Sequence, residues 1–188
     1  ITKITIPDSL MTISEYAFAD CIGITSVSIP DSVKTIEKYA FYGCSGLNDL
    51  NIPDTVTTIG EYAFWGCSSI KNAVVPDSVT SVGQGMFGGC SNLECITLPY
   101  IGEIVPNNVG DLWQYPFGYI FGDVYYSNCY TVKQRPYEVK YPSSNDYYYC
   151  NYCIPYTLKT VIVTGTTIQQ EAFKGCKLIE NIIMIFLK

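Results

Sequence analysis

Apolar and polar residues alternate in short runs along most of this chain, and many of the runs end at a proline. In one of them Val27 and Ile29 flank Ser28, and a proline follows. Alternation with a period of two predicts a short β-strand with one buried face. Proline ends such a strand because it has no N–H to donate to a neighbouring strand. The pattern predicts seven strands, centred near Thr5, Ser28, Asn51, Val74, Thr97, Ile162 and Ile183.

The strands belong to an internal repeat of 23 residues, seen most completely in the segment LNDLNIPDTVTTIGEYAFWGCSS. Three residue types return in one register: a proline (Pro7, Pro30, Pro53, Pro76, Pro99), a phenylalanine (Phe18, Phe41, Phe64, Phe87) and a cysteine (Cys21, Cys44, Cys67, Cys90). A fixed period of about 20 to 29 residues is typical of a leucine-rich-repeat solenoid. We therefore predict a β-rich leucine-rich-repeat solenoid with about seven stacked strands in a parallel sheet, short helical turns in the E-Y-A-F segments and one aromatic insertion.

Stacking of the coils determines which residues share the core. Coils about 4.8 Å apart place each residue over its equivalent in the next coil. The phenylalanines should then form one buried ladder of Phe18, Phe41, Phe64, Phe87 and Phe173. We expect the equivalent cysteines to be buried, reduced thiols, because stacked side chains run parallel and do not point at each other. These cysteines are Cys21, Cys44, Cys67, Cys90 and Cys176.

An aspartate follows the proline in four repeats, at Asp8, Asp31, Asp54 and Asp77. An aspartate in this place can accept hydrogen bonds from backbone N–H groups ahead of it and close a turn. The stacked carboxylates, about 5 Å apart, also match the ligands of a Ca²⁺ site. Because the Gly-rich calcium-binding nonapeptide is absent, we favour the turn and expect neither a metal nor a cofactor.

The repeat register fails after Pro99 and resumes at Leu158. We still expect one domain, because the pattern on both sides of the break belongs to the same kind of coil. The prediction is a single leucine-rich-repeat solenoid over residues 1–188, with regular repeats in 1–99, a variant expanded repeat with a Tyr-rich insertion in 100–157, and short terminal repeats in 158–188.

The expanded repeat and the C-terminal end depart from the regular unit. Residues 117–122, FGYIFG, should fill the inward Phe-x-Gly place of an expanded coil. Residues 123–156 should form a small hairpin or a packed cap, since a structureless loop of that length is uncommon. The apolar run at 182–187 should need cover. We expect that cover to come from self-association through the C-terminal end, or from further residues in the natural protein.

Composition and charge narrow the function. The chain is 48% hydrophobic and 15% charged, with a net charge of −6. This composition excludes an intrinsically disordered chain, and no apolar window is long enough for membrane insertion. The 11 basic residues are scattered, which disfavours nucleic acid as a partner. The chain contains no histidine, which excludes Ser-His-Asp and Cys-His catalysis, and we expect no enzyme.

Four cysteines, Cys95, Cys129, Cys150 and Cys153, lie outside the repeat register. A disulfide from Cys129 to Cys150 or Cys153 fits an oxidising exterior, whereas free thiols fit an anaerobic setting. Both alternatives stay open on the sequence. A zinc site would need a second C-x-x-C pair, and a thioredoxin-like centre would need a βαβ setting, so we favour neither.

The insertion is the part of the surface that differs most from the repeats. It holds many of the 17 tyrosines and the single arginine. Tyrosine and arginine are enriched at the energetic hot spots of interfaces. The alternative is that the tyrosines pack a small local core. If the chain binds a ligand, we predict contact through Tyr125, Tyr126, Arg135, Tyr137, Tyr147, Tyr148 and Tyr149.

The units IPDSV and TIGEYAFWGCSSI resemble the BspA-like class of leucine-rich repeats, over residues 1–99 and 158–188. Proteins of this class lie on the surfaces of mouth and gut bacteria and of some mucosal protozoa, and are similar to adhesins that bind fibronectin or fibrinogen. The resemblance implies a non-enzymatic, extracellular or cell-surface binding module, adhesin-like, that engages a host matrix protein or glycoprotein. The first residues contain no signal peptide, so a secreted protein would carry one ahead of this segment.

A structural spacer in a larger surface protein, with no ligand of its own, is the alternative function. Exposed ladders of aromatic or long polar side chains would favour a binding module, since a spacer needs no such surface. The strand-face residues are small and count for the spacer; they are Thr5, Ser28, Asn51 and Thr97.

Overall fold

Short β-strands joined by turns wind the described part of the chain into stacked coils, with almost no helix among them. The computed structural model describes residues 3–100, 117–134, 150–165, 168 and 172–185. In chain order the strands are β1 (Ile4–Thr5), β2 (Thr12–Ile13), β3 (Ser26–Ser28), β4 (Thr35–Ile36), β5 (Asp49–Asn51), β6 (Thr58–Ile59), β7 (Asn72–Val74), β8 (Ser81–Val82), β9 (Cys95–Leu98), β10 (Cys129–Gln134), β11 (Cys150–Pro155), β12 (Thr160–Val163) and β13 (Asn181–Met184). A 3₁₀ helix, Phe117–Phe121, lies between β9 and β10, and no helix in the described ranges is long and apolar enough to cross a membrane. The chain is a β-solenoid of about six turns with repeats of about 23 residues, which confirms the predicted fold.

Seven of these strands stack in parallel, and all seven lie where the alternation predicts them. They form a three-stranded sheet in the order β1-β3-β5 and a four-stranded sheet in the order β13-β12-β9-β7. Strands β5 and β7 lie side by side between the two sheets. Val161 of β12 pairs with Ile96 of β9 and with Ile182 of β13. The chain therefore returns in register after the insertion, and equivalent residues meet again.

A second four-stranded parallel sheet, in the order β2-β4-β6-β8, lies on another side of the coils. Its strands are only two residues long, and each contributes one inward side chain. Ile36 pairs with Ile13 on one side and with Ile59 on the other. All three isoleucines are buried. This sheet forms a second wall of the same apolar core.

The Pro-Asp turns are closed by the backbone, where we expected the aspartate side chain to close them. The Val33 N–H donates to the Pro30 carbonyl at 3.0 Å, and the next repeat forms the same bond. A bond from the first residue to the fourth is sufficient to close a β-turn. Asp31 lies inside the turn with its side chain exposed to solvent.

The E-Y-A-F segments form hydrogen-bonded turns instead of the helical turns predicted from the sequence. The Ala19 N–H donates to the Tyr16 carbonyl at 3.1 Å within its own coil. The Phe18 N–H, by contrast, donates to the Ala40 carbonyl at 2.8 Å in the next coil. A helix would use both donors inside one segment. Pairing between coils therefore replaces the helix on this side of the solenoid.

Stacked phenylalanines fill the core between these layers. Ring centroids are 5.2 Å apart for Phe18 and Phe41, and 5.4 Å apart for Phe41 and Phe64. The next pair, Phe64 and Phe87, is 5.6 Å apart. The rings of Phe41, Phe64 and Phe87 are fully buried. The ladder is thus confirmed for these three residues, whereas Phe18, in the first coil, stacks on Phe41 but is half-buried.

The 3₁₀ helix occupies the inward place of the expanded coil, as the sequence predicts. The Phe87 N–H donates to the Ile120 carbonyl at 2.9 Å, and the Phe117 N–H donates to the Ala172 carbonyl at 3.3 Å. The helix thus lies between two repeats of the solenoid. Phe173 packs on Phe117 with centroids 4.9 Å apart and stays half-buried. It therefore joins the ladder through the helix, where we expected one continuous buried ladder.

The cysteines of the repeat lie beside the phenylalanines as free thiols. Cys44, Cys67 and Cys90 are fully buried, as predicted, whereas Cys21 and Cys176 in the outermost described coils are half-buried. Each buried thiol reaches back to the preceding coil, as where Cys67 Sγ donates to a carbonyl oxygen at 3.3 Å. Burial raises the pKa of the Cys90 thiol. These cysteines are small apolar core groups with one weak hydrogen bond each.

An antiparallel hairpin of β10 and β11 forms the described part of the insertion, in agreement with the predicted small hairpin. Its inner face carries Val132, Tyr152 and Ile154, which are buried and join the core of the solenoid. The hairpin is thus packed into the fold instead of projecting from it. Removing it would expose apolar core.

Gln134 is a buried polar side chain that holds the hairpin in place, and the repeat pattern gives no sign of it. Its Oε1 accepts from the Gly118 N–H at 2.7 Å. Its Nε2 donates to the carbonyls of Ala172 and Lys174 at 2.9 and 3.0 Å. One amide therefore joins the hairpin, the 3₁₀ helix and the following coil. Because Gln134 is only 1% exposed, these bonds form away from water, where they are strong.

Strand β13 lies at the edge of its sheet with apolar side chains exposed. Ile182, Ile183 and Ile185 are 46%, 45% and 41% exposed. The last two apolar residues of the predicted run, Phe186 and Leu187, lie outside the described residues. Cover of this end by a second copy or by further residues stays a prediction.

Replacing Phe64 with Ala should lower the free energy of unfolding by about 3–5 kcal/mol. The ring stacks on two others, and the coils cannot close the cavity without disturbing their hydrogen bonds. Denaturant unfolding followed by circular dichroism measures the change. Ser26→Ala, at an exposed strand position, is the control and should stay within about 0.5 kcal/mol. A loss below about 1 kcal/mol for Phe64→Ala would contradict a buried ladder.

Replacing Gln134 with Leu should lower the free energy of unfolding by about 2–4 kcal/mol. Leucine keeps most of the volume but leaves the Gly118 N–H and two carbonyls without their partner. Thr131→Leu, on the exposed face of the same strand, is the matched control and should change stability little. Equal stability of the two variants would show that the amide bonds do not hold the hairpin.

Candidate binding surface

The described tyrosines of the predicted site have different environments. Tyr125 is 74% exposed. Tyr126 is half-buried, and its hydroxyl donates to the Cys153 carbonyl at 2.7 Å. Burial raises the pKa of the Tyr126 hydroxyl, as expected for a packing residue. The other predicted contacts lie outside the described residues; they are Arg135, Tyr137, Tyr147, Tyr148 and Tyr149. Among the described members, the structure therefore presents Tyr125 to solvent and assigns Tyr126 to packing.

The register of the hairpin decides between the two disulfides that the sequence leaves open, Cys129 to Cys150 and Cys129 to Cys153. Thr131, two residues after Cys129, pairs with Cys153, whereas Cys150 pairs with Gln134 at the far end of the strand. Five residues of strand span roughly 16 Å, which is far beyond the reach of a disulfide. The register therefore excludes Cys150 and leaves Cys153, on the same face of the hairpin, as the diagonal neighbour of Cys129.

The thiols of Cys129 and Cys153 interact, and both are buried and free in the structure. Burial and the Cys153 thiol raise the pKa of Cys129 to about 11. A bridge between them stays a prediction. The C-x-x-C motif lies on a β-strand, which is not the setting of a thioredoxin-like centre. Within the described ranges no three cysteine or acidic side chains are grouped to hold a metal.

A surface that the sequence analysis missed lies on the turn side of the first three coils. We call it the aromatic column and define it as Tyr16, Tyr39, Tyr42, Tyr62 and Trp65. Tyr39 stacks on Tyr16 at 4.8 Å and on Tyr62 at 5.3 Å between centroids. Tyr42 stacks on Trp65 at 4.9 Å and meets Tyr39 edge-on at 5.6 Å. Five rings therefore form one connected surface group.

The aromatic column is accessible to a partner. Tyr16 is 55% exposed, and the other four side chains are half-buried. Aromatic stacking holds each ring in one position, so little side-chain freedom remains to be lost on binding. The column is thus a rigid and partly exposed surface, which differs from the small polar residues of the strand face.

Three tyrosines of the column adopt a backbone conformation that favours glycine. The φ angles of Tyr16, Tyr39 and Tyr62 are 56°, 58° and 54°, and Gly85 takes the same place in the next coil with φ 66°. A left-handed conformation costs a residue with a Cβ about 1–2 kcal/mol. Tyrosine therefore occupies three positions at which glycine would adopt the same backbone conformation without strain. Strain of this kind is concentrated at functional sites.

Two glycines end the column at the fourth coil. A Cβ at Gly85 would lie 2.6 Å from Cε1 of Tyr62, and a Cβ at Gly88 would lie 2.5 Å from Cδ1 of Trp65. The two rings therefore extend over the backbone of the next coil. Any larger residue at either position would push them away. The absence of side chains in the fourth coil thus positions the last rings of the third.

The charge around the column is acidic. Burial raises the pKa of both Tyr16 and Tyr62, the Glu15 carboxylate adds to the rise for Tyr16, and the Asp123 carboxylate adds to the rise for Tyr62. The Glu37 carboxylate accepts the Glu15 N–H at 2.9 Å. These carboxylates set up a negative potential over the exposed rings.

Lys38 shows how a cation sits on this surface. Its Nζ is 2.9 Å from a Glu61 carboxylate oxygen and 5.0 Å from the ring centroid of Tyr39. The hydrogen bond with Glu61 raises the pKa of the Lys38 ammonium. One carboxylate and one aromatic ring therefore hold the ammonium group together.

The comparisons with known proteins agree with the fold. Residues 1–109 match the family "BspA type Leucine rich repeat region" in six copies of the repeat. The chain belongs to the BspA-type leucine-rich-repeat family. No curated protein sequence matches this BspA-type chain at a significant level.

Solved structures of bacterial leucine-rich-repeat proteins share the fold of this BspA-type chain. A leucine-rich repeat protein from Bacteroides ovatus is 21% identical, with a TM-score of 0.61 over 98% of this chain and 37% of its own. A leucine rich cell surface protein from Faecalibacterium prausnitzii is 22% identical, with a TM-score of 0.53 over 100% of this chain and 33% of its own. The pneumococcal vaccine antigen PcpA is 16% identical, with a TM-score of 0.56 over 97% of this chain and 40% of its own. The BspA-type chain thus spans well under half the length of these proteins.

Oxidation by glutathione disulfide should join Cys129 to Cys153. Each bridge forms by thiol–disulfide exchange, which releases two glutathione thiols and removes two hydrogens from the protein. Peptide mass mapping should find the two residues cross-linked. Cys129→Ser should abolish the link, and Cys95→Ser should leave it intact. A link from Cys129 to Cys150 would contradict the register of the hairpin.

Proposed function

We propose that this chain is a non-enzymatic, adhesin-like binding module of a cell-surface or secreted protein. It engages a host matrix protein or glycoprotein through the aromatic column. The observation that carries the proposal is the exposed stack of tyrosines in strained backbone positions. This is the kind of ladder that separates a binding module from a spacer.

The residue types of the column support a role in binding. Tyrosine and tryptophan dominate the energetic hot spots of protein interfaces. They give a large amphipathic contact area at low cost in conformational entropy. Here the coils hold them as a rigid row roughly 10 Å long, two strand spacings from end to end. A spacer gains nothing from five partly exposed rings.

The family and its structural neighbours support a surface location. One neighbour is a cell surface protein and another is a pneumococcal vaccine antigen. The absence of histidine from the whole sequence supports a role without catalysis, since the commonest general base is missing.

The spacer remains the second candidate, and the strand face favours it. On that face Ser28 and Asn51 are small, polar and exposed. Val74 is 55% exposed, but as a single apolar side chain it needs no partner. The two candidates therefore assign different roles to different sides of the same solenoid.

The test is a binding screen of the purified chain against fibronectin, fibrinogen and mucin glycans, followed by variants of the column. Tyr16→Gly removes the outermost ring and relaxes the backbone, so the variant should fold. Trp65→Ala removes a ring from the second stack. We expect each variant to weaken binding at least about tenfold, as hot-spot residues do.

Two controls separate the possible sites. Val74→Ala removes an exposed apolar side chain from the strand face and should leave affinity unchanged. Tyr125→Ala tests the insertion. Full affinity in both column variants, with a loss in Tyr125→Ala, would transfer the site to the insertion. A screen in which no ligand binds would favour the spacer.

A further inference from the structure

We infer that the aromatic column recognises a cationic segment of its protein partner, in which arginine or lysine side chains lie against the rings and the carboxylates beside them. The inference rests on the proposed function and names the chemistry of the partner. Three features of the column support it: the internal cation, the surplus of carboxylates and the exposed ring of Tyr16.

The internal cation is Lys38. Its ammonium group bonds to Glu61 at 2.9 Å and lies 5.0 Å from the centroid of Tyr39. A cation within about 6 Å of a ring centroid is attracted by the negative face of the ring. The column therefore already binds one cation by the combination of ring and carboxylate that a partner would use.

The surplus of carboxylates is the second feature. Glu15, Glu37, Glu61 and Asp123 surround the column, and Lys38 is already paired with Glu61. Among the described residues, neither Glu15 nor Glu37 takes part in a salt bridge. The whole chain carries a net charge of −6. A negative surface attracts a positive partner and repels an acidic one, which gives both speed and specificity of association.

The exposed ring is the third feature. Tyr16 stacks on Tyr39 and yet keeps 55% of its surface exposed, with Glu15 next to it in the chain. The neighbouring coil has Lys38 at the position equivalent to Glu15, so that coil carries a cation of its own. Lys38 also acts electrostatically on Glu15 and Tyr16, but its ammonium group bonds to Glu61. Among the described residues, the first coil therefore still offers a ring and a carboxylate that no salt bridge occupies. A planar guanidinium suits this place better than an ammonium, because it stacks on a ring and bonds a carboxylate at once.

The probes for this inference are amidated peptides of eight arginines, eight lysines and eight glutamates. Binding is measured by calorimetry at low and at physiological salt. We expect the arginine peptide to bind most tightly, the lysine peptide less tightly and the glutamate peptide not at all. The affinity should fall with added salt, since exposed charges are screened.

The deciding variant is Glu15→Gln, Glu37→Gln and Asp123→Asn combined. It removes three charges beside the column, keeps Glu61 for Lys38, and retains an oxygen that can accept the Glu15 N–H. The matched control is Asp8→Asn, Asp31→Asn and Asp54→Asn, which removes three exposed charges from the Pro-Asp turns. The column variant should bind the arginine peptide at least about tenfold more weakly, and the control should lose less than about threefold.

Three results would overturn the inference. The first is that the arginine peptide does not bind, and the second is that the column variant binds it as tightly as the unchanged chain. The third is an equal loss of affinity in the column variant and the control, which would leave only the net charge of the chain as the cause. The proposed function is tested separately, by measuring how tightly the same variants bind a ligand found in the screen. If Tyr16→Gly weakens binding of that ligand while the carboxylate variant and added salt do not, the column binds a protein without a cationic segment. If neither variant weakens it, both proposals fail.

Discussion

Hydrogen bonding between equivalent residues of successive coils is the constraint on which the rest of this structure depends. Parallel pairing holds Ile36 level with Ile59 on one side of the solenoid. On the turn side the Phe41 N–H donates to the Ala63 carbonyl at 2.8 Å. Because this pairing fixes the distance between coils near 4.8 Å, a side chain that recurs every repeat meets its own copy. No coil can bury its apolar face alone, and the core exists only as a property of the stack.

The same constraint builds the candidate site. Phe41 and Phe64 stack 5.4 Å apart in the interior, and Tyr39 and Tyr62 stack 5.3 Å apart at the surface. The inner ladder excludes water, whereas the outer ladder presents ring edges and hydroxyl groups to it. The coil-to-coil bonds that stabilise the fold therefore also preorganise the column, and preorganisation lowers the cost of binding.

The sequence predicts what is periodic and misses what is singular. The strands and the buried Phe64 follow from alternation and from the repeat, because each coil supplies independent evidence for the same place. Gln134 occurs once, and its value depends on three backbone groups from distant segments, so no pattern could reveal it. Tyr39 is periodic too, but periodicity alone does not show that its ring lies at the surface, because the left-handed backbone of this residue is not visible in the repeat pattern. The partner of Cys129 could not be chosen without the register of the hairpin.

The glycines that end the column have a consequence for how such a surface changes over evolution. Gly85 stands where a fourth tyrosine would continue the row, and its Cα is only 3.1 Å from where a Cβ on Gly122 would lie. The expanded coil therefore closes the row at three stacked tyrosines. Upstream of it, duplication of one repeat in the gene would add one tyrosine and leave every other contact as it was. The contact area of the module would then grow in equal steps. Avidity could therefore evolve through a change in the number of repeats, without substitution of individual side chains.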